Sequence, residues 1–474
     1  MPPTHPNMSL TPTLVTTVAI ICLGSLQFGY HMAELNSPEQ ILSCQRSEPV
    51  PGLPYKDTWF GSHGYARCLD MSTEQVGMAT SIFSIGGLLG SIYVGSLADK
   101  VGRWRVSVGQ TLIYLLGSLV AGLANTYYQL LAGRLLSGIA AGSALVITAI
   151  YINEIAPTSA KGLLGSMNQV SINVGILLTQ SLALIWCNNN QWRLLLLMGC
   201  VVAGVNCLLI LAYIPESPVW LEANNRGPEA MTVLHRIRGG DYESIRTEVS
   251  SWRSQDDNLL GGASNQKTVG IRDYLRLPQY RNSRVVATGI LVLQQFDGIN
   301  SIIFYGVGVL TSIFSNAIAI NCVIALVNVI VTFGAAQWVD KLGRKPLLLL
   351  SVSMLGVASA IMAFGIMWSS AILSVVGMFT YIAFFAVGLG PIPFLLVGEV
   401  TQPQAKATAQ SWGTSMNWVA TFIVGYSFPL LMKAMGGAVY FIFVGMCAFS
   451  YWFIKTKVPE TKGKKSYEEV WGIQ

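Results

Sequence analysis

Charge is scarce in this sequence. Only 11% of its 474 residues are Asp, Glu, Lys or Arg, against about 25% in a typical soluble domain. Histidine is scarcer still, with four copies, and the eight cysteines have no metal-site spacing. Nothing that remains assembles into a catalytic constellation, so neither an enzyme nor a bound cofactor is expected. No cleavable signal sequence is evident. The first apolar run, from Thr13, is too long for a signal core and lacks a basic flank. No Lys or Arg stands at the centre of an apolar run, which argues against recognition of an anionic solute in such a run.

What is abundant is apolar surface. Hydrophobic residues make up 52% of the chain and the mean hydropathy is +0.52. Apolar runs of about 20 residues, each long enough to cross a bilayer as a helix, recur twelve times between 13 and 454. The fold class expected is an all-α membrane protein. The net charge of +6 could suggest nucleic acid, but its distribution argues otherwise. If both termini share one side, 23 of the 29 basic residues fall there and 6 elsewhere. That is the positive-inside pattern, and it puts both termini in the cytoplasm. Cys44 and Cys68 bracket the long loop on the other side and are a candidate disulfide, with Cys187 nearby leaving the pairing open.

Several signatures occur twice in the same order. Asp99-Lys-Val-Gly-Arg103 answers to Asp340-Lys-Leu-Gly-Arg344 (340 − 99 = 241), Glu154 to Glu399 (399 − 154 = 245), and Pro215-Glu216 to Pro459-Glu460 (459 − 215 = 244). Repetition at a near-constant offset predicts two parallel six-helix bundles. The expected division is a tail at 1–12, a bundle at 13–214, a linker with short helices at 215–284, a second bundle at 285–454 and a tail at 455–474.

The motifs Gly102-Arg103, Gly133-Arg134, Pro215-Glu-Ser-Pro218, Gln294-Gln-Phe-Asp-Gly-Ile-Asn300, Gly390-Pro-Ile-Pro393, Asn417-Trp418 and Pro459-Glu-Thr-Lys-Gly463, in this order, resemble those of the sugar porters of the major facilitator superfamily. The resemblance covers nearly the whole chain. It implies the twelve-helix major facilitator fold and transport of a hexose-like sugar by alternating access. The partners it implies are a small-molecule sugar, the lipid bilayer and, if transport is coupled, protons. A monomer is expected. Plasma membrane and an internal membrane such as the vacuolar one both remain open.

The resemblance also distributes roles. Gln169, Gln294, Gln295, Asn300, Asn328, Asn417 and Trp418 are the expected solute contacts. Carboxamides suit hydroxyls because one planar group both donates and accepts without burying charge, and an aromatic face covers the C–H side of a sugar ring. The competing reading is ordinary interhelical hydrogen bonding, worth about 0.6 kcal/mol each. On a continuous helix Gln294, Asp297, Gly298 and Ser301 would share one face. Gly390, Pro391 and Pro393 are an expected hinge. Phe304, Phe394 and Thr421 stand where relatives carry Tyr, Trp and Asn, which shifts the expected preference away from glucose.

Asp99, Arg103, Glu154, Glu216, Asp340, Arg344, Glu399 and Glu460 match groups that in the family pair across the bundles and hold the cytoplasmic side shut. Lys161, Lys406 and Val219 replace arginines of that pattern, so a less rigid latch is expected. Proton-coupled members carry Asp where this chain has His31. His31, Glu34 and Asp297 are therefore the candidate proton-coupling groups. The expectation is that Glu34 faces an aqueous vestibule, that His31 is a satisfied polar residue, and that transport is facilitated diffusion. The alternatives are proton symport and a non-transporting sensor, the latter disfavoured by the short tail.

Overall fold

The computed structural model describes residues 11–157, 160–240, 242–261, 269–311, 316–464 and 467–472, which are helical almost throughout. The spanning helices are α1 (Pro12–Ala33), α2 (Thr73–Val101), α3 (Arg103–Gly122), α4 (Tyr127–Ile155), α5 (Lys161–Trp186) and α6 (Trp192–Tyr213). After the linker come α7 in two pieces (Arg281–Phe296 and Ile299–Thr311), α8 (Ala317–Leu342) and α9 (Arg344–Met367). Then follow α10 in two pieces (Ala371–Val387 and Ile392–Glu399), α11 (Lys406–Met435) and α12 (Val439–Lys457). Among the described residues ten stretches are apolar and long enough to span a membrane; one of them, 403–457, holds both α11 and α12. The remaining span is α3, polar through Arg103, Arg105 and Gln110, which packs between α4 and α6.

Local chemistry starts these helices. Thr11 accepts from the Leu14 N–H ahead of Pro12, and Ser72 with Gln75 and Thr126 with Gln129 form capping boxes. Small residues then let helices touch. A Cβ on Gly86 or Gly138 would lie 2.3 or 2.1 Å from a backbone oxygen of the facing helix, so α2 and α4 meet backbone to backbone.

The duplicated signatures fold alike. Gly102 and Gly343 both take positive φ, +98° and +94°. Each turn starts a helix whose first N–H groups point at a carboxylate, Glu216 beneath α3 and Glu460 beneath α9. A negative charge at a helix N-terminus is favourable. Burial pushes the Glu460 carboxyl up, but the N–H groups of Lys462, Arg344, Lys345 and Thr461 outweigh it and hold it below its usual value.

α1–α6 and α7–α12 form two bundles that meet chiefly through α2 against α11 and α5 against α8. The linker adds helices Pro218–Ala223, Gly227–Arg238 and Tyr242–Gly261 around a small core of Leu221, Ala230, Leu234, Ile245 and Val249. Arg238 ties it beneath α4 by donating to the carbonyls of Ile155 and Ala156. On the opposite face Cys44 and Cys68 are joined in a disulfide. Arg193 gathers the carbonyls of Gly122, Ala124 and Ala66 there, fastening the 34–72 loop to the ends of α3 and α6.

Candidate central cavity

The two breaks in the second bundle build the site. In α10, Pro393 has no N–H to give the Leu389 carbonyl four residues back. Gln294 supplies the missing donor: its Nε2 lies 2.5 Å from Leu389 O and 3.3 Å from Gly390 O. In α7 the chain turns at Gly298, with φ +106°. Helical periodicity therefore fails between Gln294 and Ser301. Asp297 points away from the amides, accepting from Ser450 Oγ of α12 at 2.8 Å, while its carbonyl takes the Tyr381 hydroxyl at 2.7 Å. The shared face expected for Gln294, Asp297, Gly298 and Ser301 does not exist, because a left-handed residue re-aims the helix.

A Cβ on Gly298 would also lie 2.6 Å from the Phe443 ring. Gly298→Ala should cost about 2–5 kcal/mol, from left-handed strain plus overpacking. Unfolding of the purified protein in detergent measures it. Gly95→Ala, whose Cβ would meet nothing within 4 Å, is the control, and equal stability of the two variants would refute the assignment.

The amides form a connected chain. Asn300 Nδ2 donates to Gln295 Oε1 (2.6 Å), Gln295 Nε2 to Gln294 Oε1 (3.2 Å), and Asn417 Nδ2 to both Gln294 Oε1 (2.9 Å) and Leu291 O (2.7 Å). Across the cavity a second group spans the bundles. Gln169 Nε2 donates to Asn173 Oδ1 (3.4 Å), and Asn173 Nδ2 donates to Thr332 Oγ1 (2.8 Å) and Asn328 Oδ1 (3.3 Å). Between them lies a space of about 800 Å³, including its open end. Apart from Thr421 its other walls are largely apolar, among them Phe28, Ile172, Ile303, Phe385 and Phe394. Trp418 closes one side. It reaches α2, donating to Ser91 Oγ at 3.0 Å, and its ring occupies the place a Cβ on Gly87 would take.

Gln169, Gln294, Gln295, Asn300, Asn328, Asn417 and Trp418 thus surround one cavity, with Gly390 and Pro391 at its edge. No ionisable side chain is among the described lining residues. Asn173 and Thr332 line it too; sequence reasoning missed them, although Asn173 lies one turn from Gln169. Phe304 does not reach the cavity. It is buried against Gly425 of α11, so its lack of a hydroxyl removes nothing from the site.

Glu34 does not face an aqueous vestibule. It is 1% exposed and holds Arg134 NH1 at 2.7 Å and His31 Nδ1 at 2.8 Å. His31 Nε2 meets Ser118 Oγ at 3.3 Å, and Arg134 also donates to the His31 carbonyl and stacks over Phe83. This group lies within the first bundle, apart from the cavity lining.

The charged groups at the terminus-bearing face gather in two clusters, one per bundle. Arg103 pairs with Glu154 (2.8 Å) and Asp99 (3.0 Å), and Arg344 with Glu399 (2.9 Å). The side chain of Asp340 lies outside the described residues. Among the described residues no ion pair or hydrogen bond joins the last two turns, at the terminus-bearing ends, of spanning helices of different bundles. The pairing expected across the bundles is instead pairing within them, because each arginine starts a helix beside its own bundle's carboxylate. Cross-bundle bonds sit at mid-height or toward the other face, such as Trp418–Ser91 and Asn36 with Ile302 and Val307.

The family described as "Sugar (and other) transporter" matches residues 17–471. A probable metabolite transport protein of Saccharomyces cerevisiae is 46% identical over 98% of this chain and 96% of its own. The facilitated glucose transporter member 2 of solute carrier family 2 from Rattus norvegicus is 30% identical over 97% of this chain and 94% of its own. Among solved structures, the inward-open xylose transporter XylE of E. coli superposes with a TM-score of 0.78 at 22% identity, covering 97% of this chain and 99% of that one.

Proposed function

The chain belongs to the sugar (and other) transporter family, and from that premise we propose that it carries a hexose-like sugar across the membrane by alternating access and facilitated diffusion. The observation that carries the solute class is the chemistry of the cavity. Carboxamides from both bundles converge on one uncharged space walled by aromatics. Their mutual bonds leave Asn300 Oδ1 buried without a partner and leave Asn417 Oδ1 and Gln169 Oε1 free to accept. A polyhydroxylated, neutral solute satisfies acceptors of this kind.

Alternating access is supported by where the bundles join. Their bonds lie near mid-height and toward the face of the 34–72 loop, so no described bond ties the terminus-bearing ends of the two bundles together. The likeness to an inward-open neighbour accords with this. The terminus-bearing face is the cytoplasmic one, supported by its 23 of 29 basic residues.

Uncoupled transport is supported by the absence of a titratable side chain among the described cavity residues. Glu34 is already neutralised by Arg134. One observation favours proton symport as a second reading: Asp297 Oδ2 is buried with no hydrogen-bond partner, a geometry that suits a carboxyl able to exchange a proton.

The test is uptake into proteoliposomes over a sugar panel, with and without a pH gradient. Saturable uptake indifferent to the gradient is expected. Sugar-driven proton movement that disappears in Asp297→Asn would establish symport instead, and binding without uptake would point to a sensor.

A further inference from the structure

Asn173 is assigned no role by the motifs, yet it touches more of the central polar network than any residue they name on α5. Asn173 is 4% exposed, and all three bonds of its carboxamide go to cavity residues. It receives Gln169 Nε2 at 3.4 Å and gives its own NH2 to Thr332 Oγ1 at 2.8 Å and Asn328 Oδ1 at 3.3 Å. Thr332 Oγ1 also donates to Asn328 Oδ1 at 3.3 Å.

These bonds have a direction. Asn328 has its carbonyl occupied twice, so only its NH2 remains for a solute. Gln169 turns the NH2 end of its amide to Asn173 and spends one N–H there, so its carbonyl is the end left without a bond. We infer that Asn173 is a positioning residue for solute selection: it pins Asn328 as a donor and Gln169 as an acceptor, giving the cavity wall between α5 and α8 a fixed hydrogen-bond polarity. The inference rests on the sugar reading of the cavity and adds which atom each amide offers.

A sugar hydroxyl can serve either amide, because it donates and accepts. A fluorine only accepts and a hydrogen does neither. The fixed polarity therefore separates two ring positions. Where the hydroxyl meets Asn328, the fluoro analogue should keep most of the affinity that the deoxy analogue loses. Where it meets Gln169, fluoro and deoxy analogues should fail alike.

The experiment is uptake by the full-length protein in proteoliposomes, using D-glucose, D-xylose and their monodeoxy and monofluoro analogues. In Asn173→Val the amide of Asn328 is free to turn. The KM for the best sugar should rise about tenfold, the effect of one unpaired buried polar group, with kcat within about twofold, under half a kcal/mol. The fluoro-against-deoxy difference at the Asn328 position should vanish. Thr332→Val should shift the pattern the same way and Thr332→Ser should restore it. This pair decides the matter if Asn173→Val does not accumulate. Unchanged KM and analogue pattern, or a loss confined to kcat, overturns the positioning role. If the wild-type protein neither binds nor moves any sugar of the panel, the sugar reading falls and takes this inference with it. Uptake by the wild type with the variants unaltered overturns this inference alone.

Discussion

Arg134→Leu should destabilise the protein by about 3–5 kcal/mol, the cost of leaving one partner of a buried ion pair without the other. Arg134 is 0% exposed and Glu34 1%. With the guanidinium gone, Glu34 keeps only His31, and the carbonyls of His31, Ala79 and Thr80 lose a donor. Bulk solvent does not reach the group, which is buried between α1, α2 and α4. Removing both charges is the informative comparison. Arg134→Leu/Glu34→Leu should recover most of the lost stability, because no uncompensated charge remains. Unfolding in detergent reads both variants. A double variant as damaged as the single one would mean that Arg134 acts through packing alone.

Gln294→Leu should lower uptake at sub-saturating sugar by more than about a hundredfold, two or more buried polar groups at roughly 1–3 kcal/mol each being left unpaired. The side chain holds four neighbours at once: the Leu389 and Gly390 carbonyls at the α10 break, Asn417 on α11 and Gln295 beside it. Leucine fills a similar volume and offers none of these bonds. Gln294→Glu keeps an acceptor for Asn417 and Gln295 but cannot donate to Leu389 when ionised, and should fall between the two. Initial rates in proteoliposomes, with protein amount and monodispersity matched, measure the effect. Wild-type rates in Gln294→Leu would show that the amide chain is not needed for transport.

Much of the architecture is legible in the residues because the bilayer allows few solutions. A long apolar run must satisfy its backbone internally, which makes it a helix, and twelve such runs are legible in the sequence. α3 is the weakest of these runs. Its Arg103 and Arg105 dilute the apolar signal at one end, and in the structure it packs between α4 and α6. The duplication is legible for a similar reason. Gly102 and Gly343 must be glycine, since the turn has positive φ and a Cβ would strike Glu216 or Glu460.

The amides of the cavity are legible as types, since carboxamides in an apolar run demand a reason. Their directions are not. Gln294 faces Leu389 because Pro393, almost a hundred residues away, removes a donor. Asp297 turns from the cavity because Gly298 breaks the period that would have placed it there. Glu34 reads as an exposed acid until Arg134, a hundred positions on, is brought to 2.7 Å.

By itself, then, the sequence determined the environment, the twelve helices, the twofold repeat and the uncharged chemistry of the site. Each follows from local composition or from a motif whose backbone admits one residue type. The tertiary structure decided which polar groups face the cavity, which pair with each other, and that the charged clusters at the terminus-bearing face close within bundles. Those outcomes depend on partners distant in the chain, and a hydrogen bond or ion pair is specified by distance and angle, which no run of neighbouring residues contains.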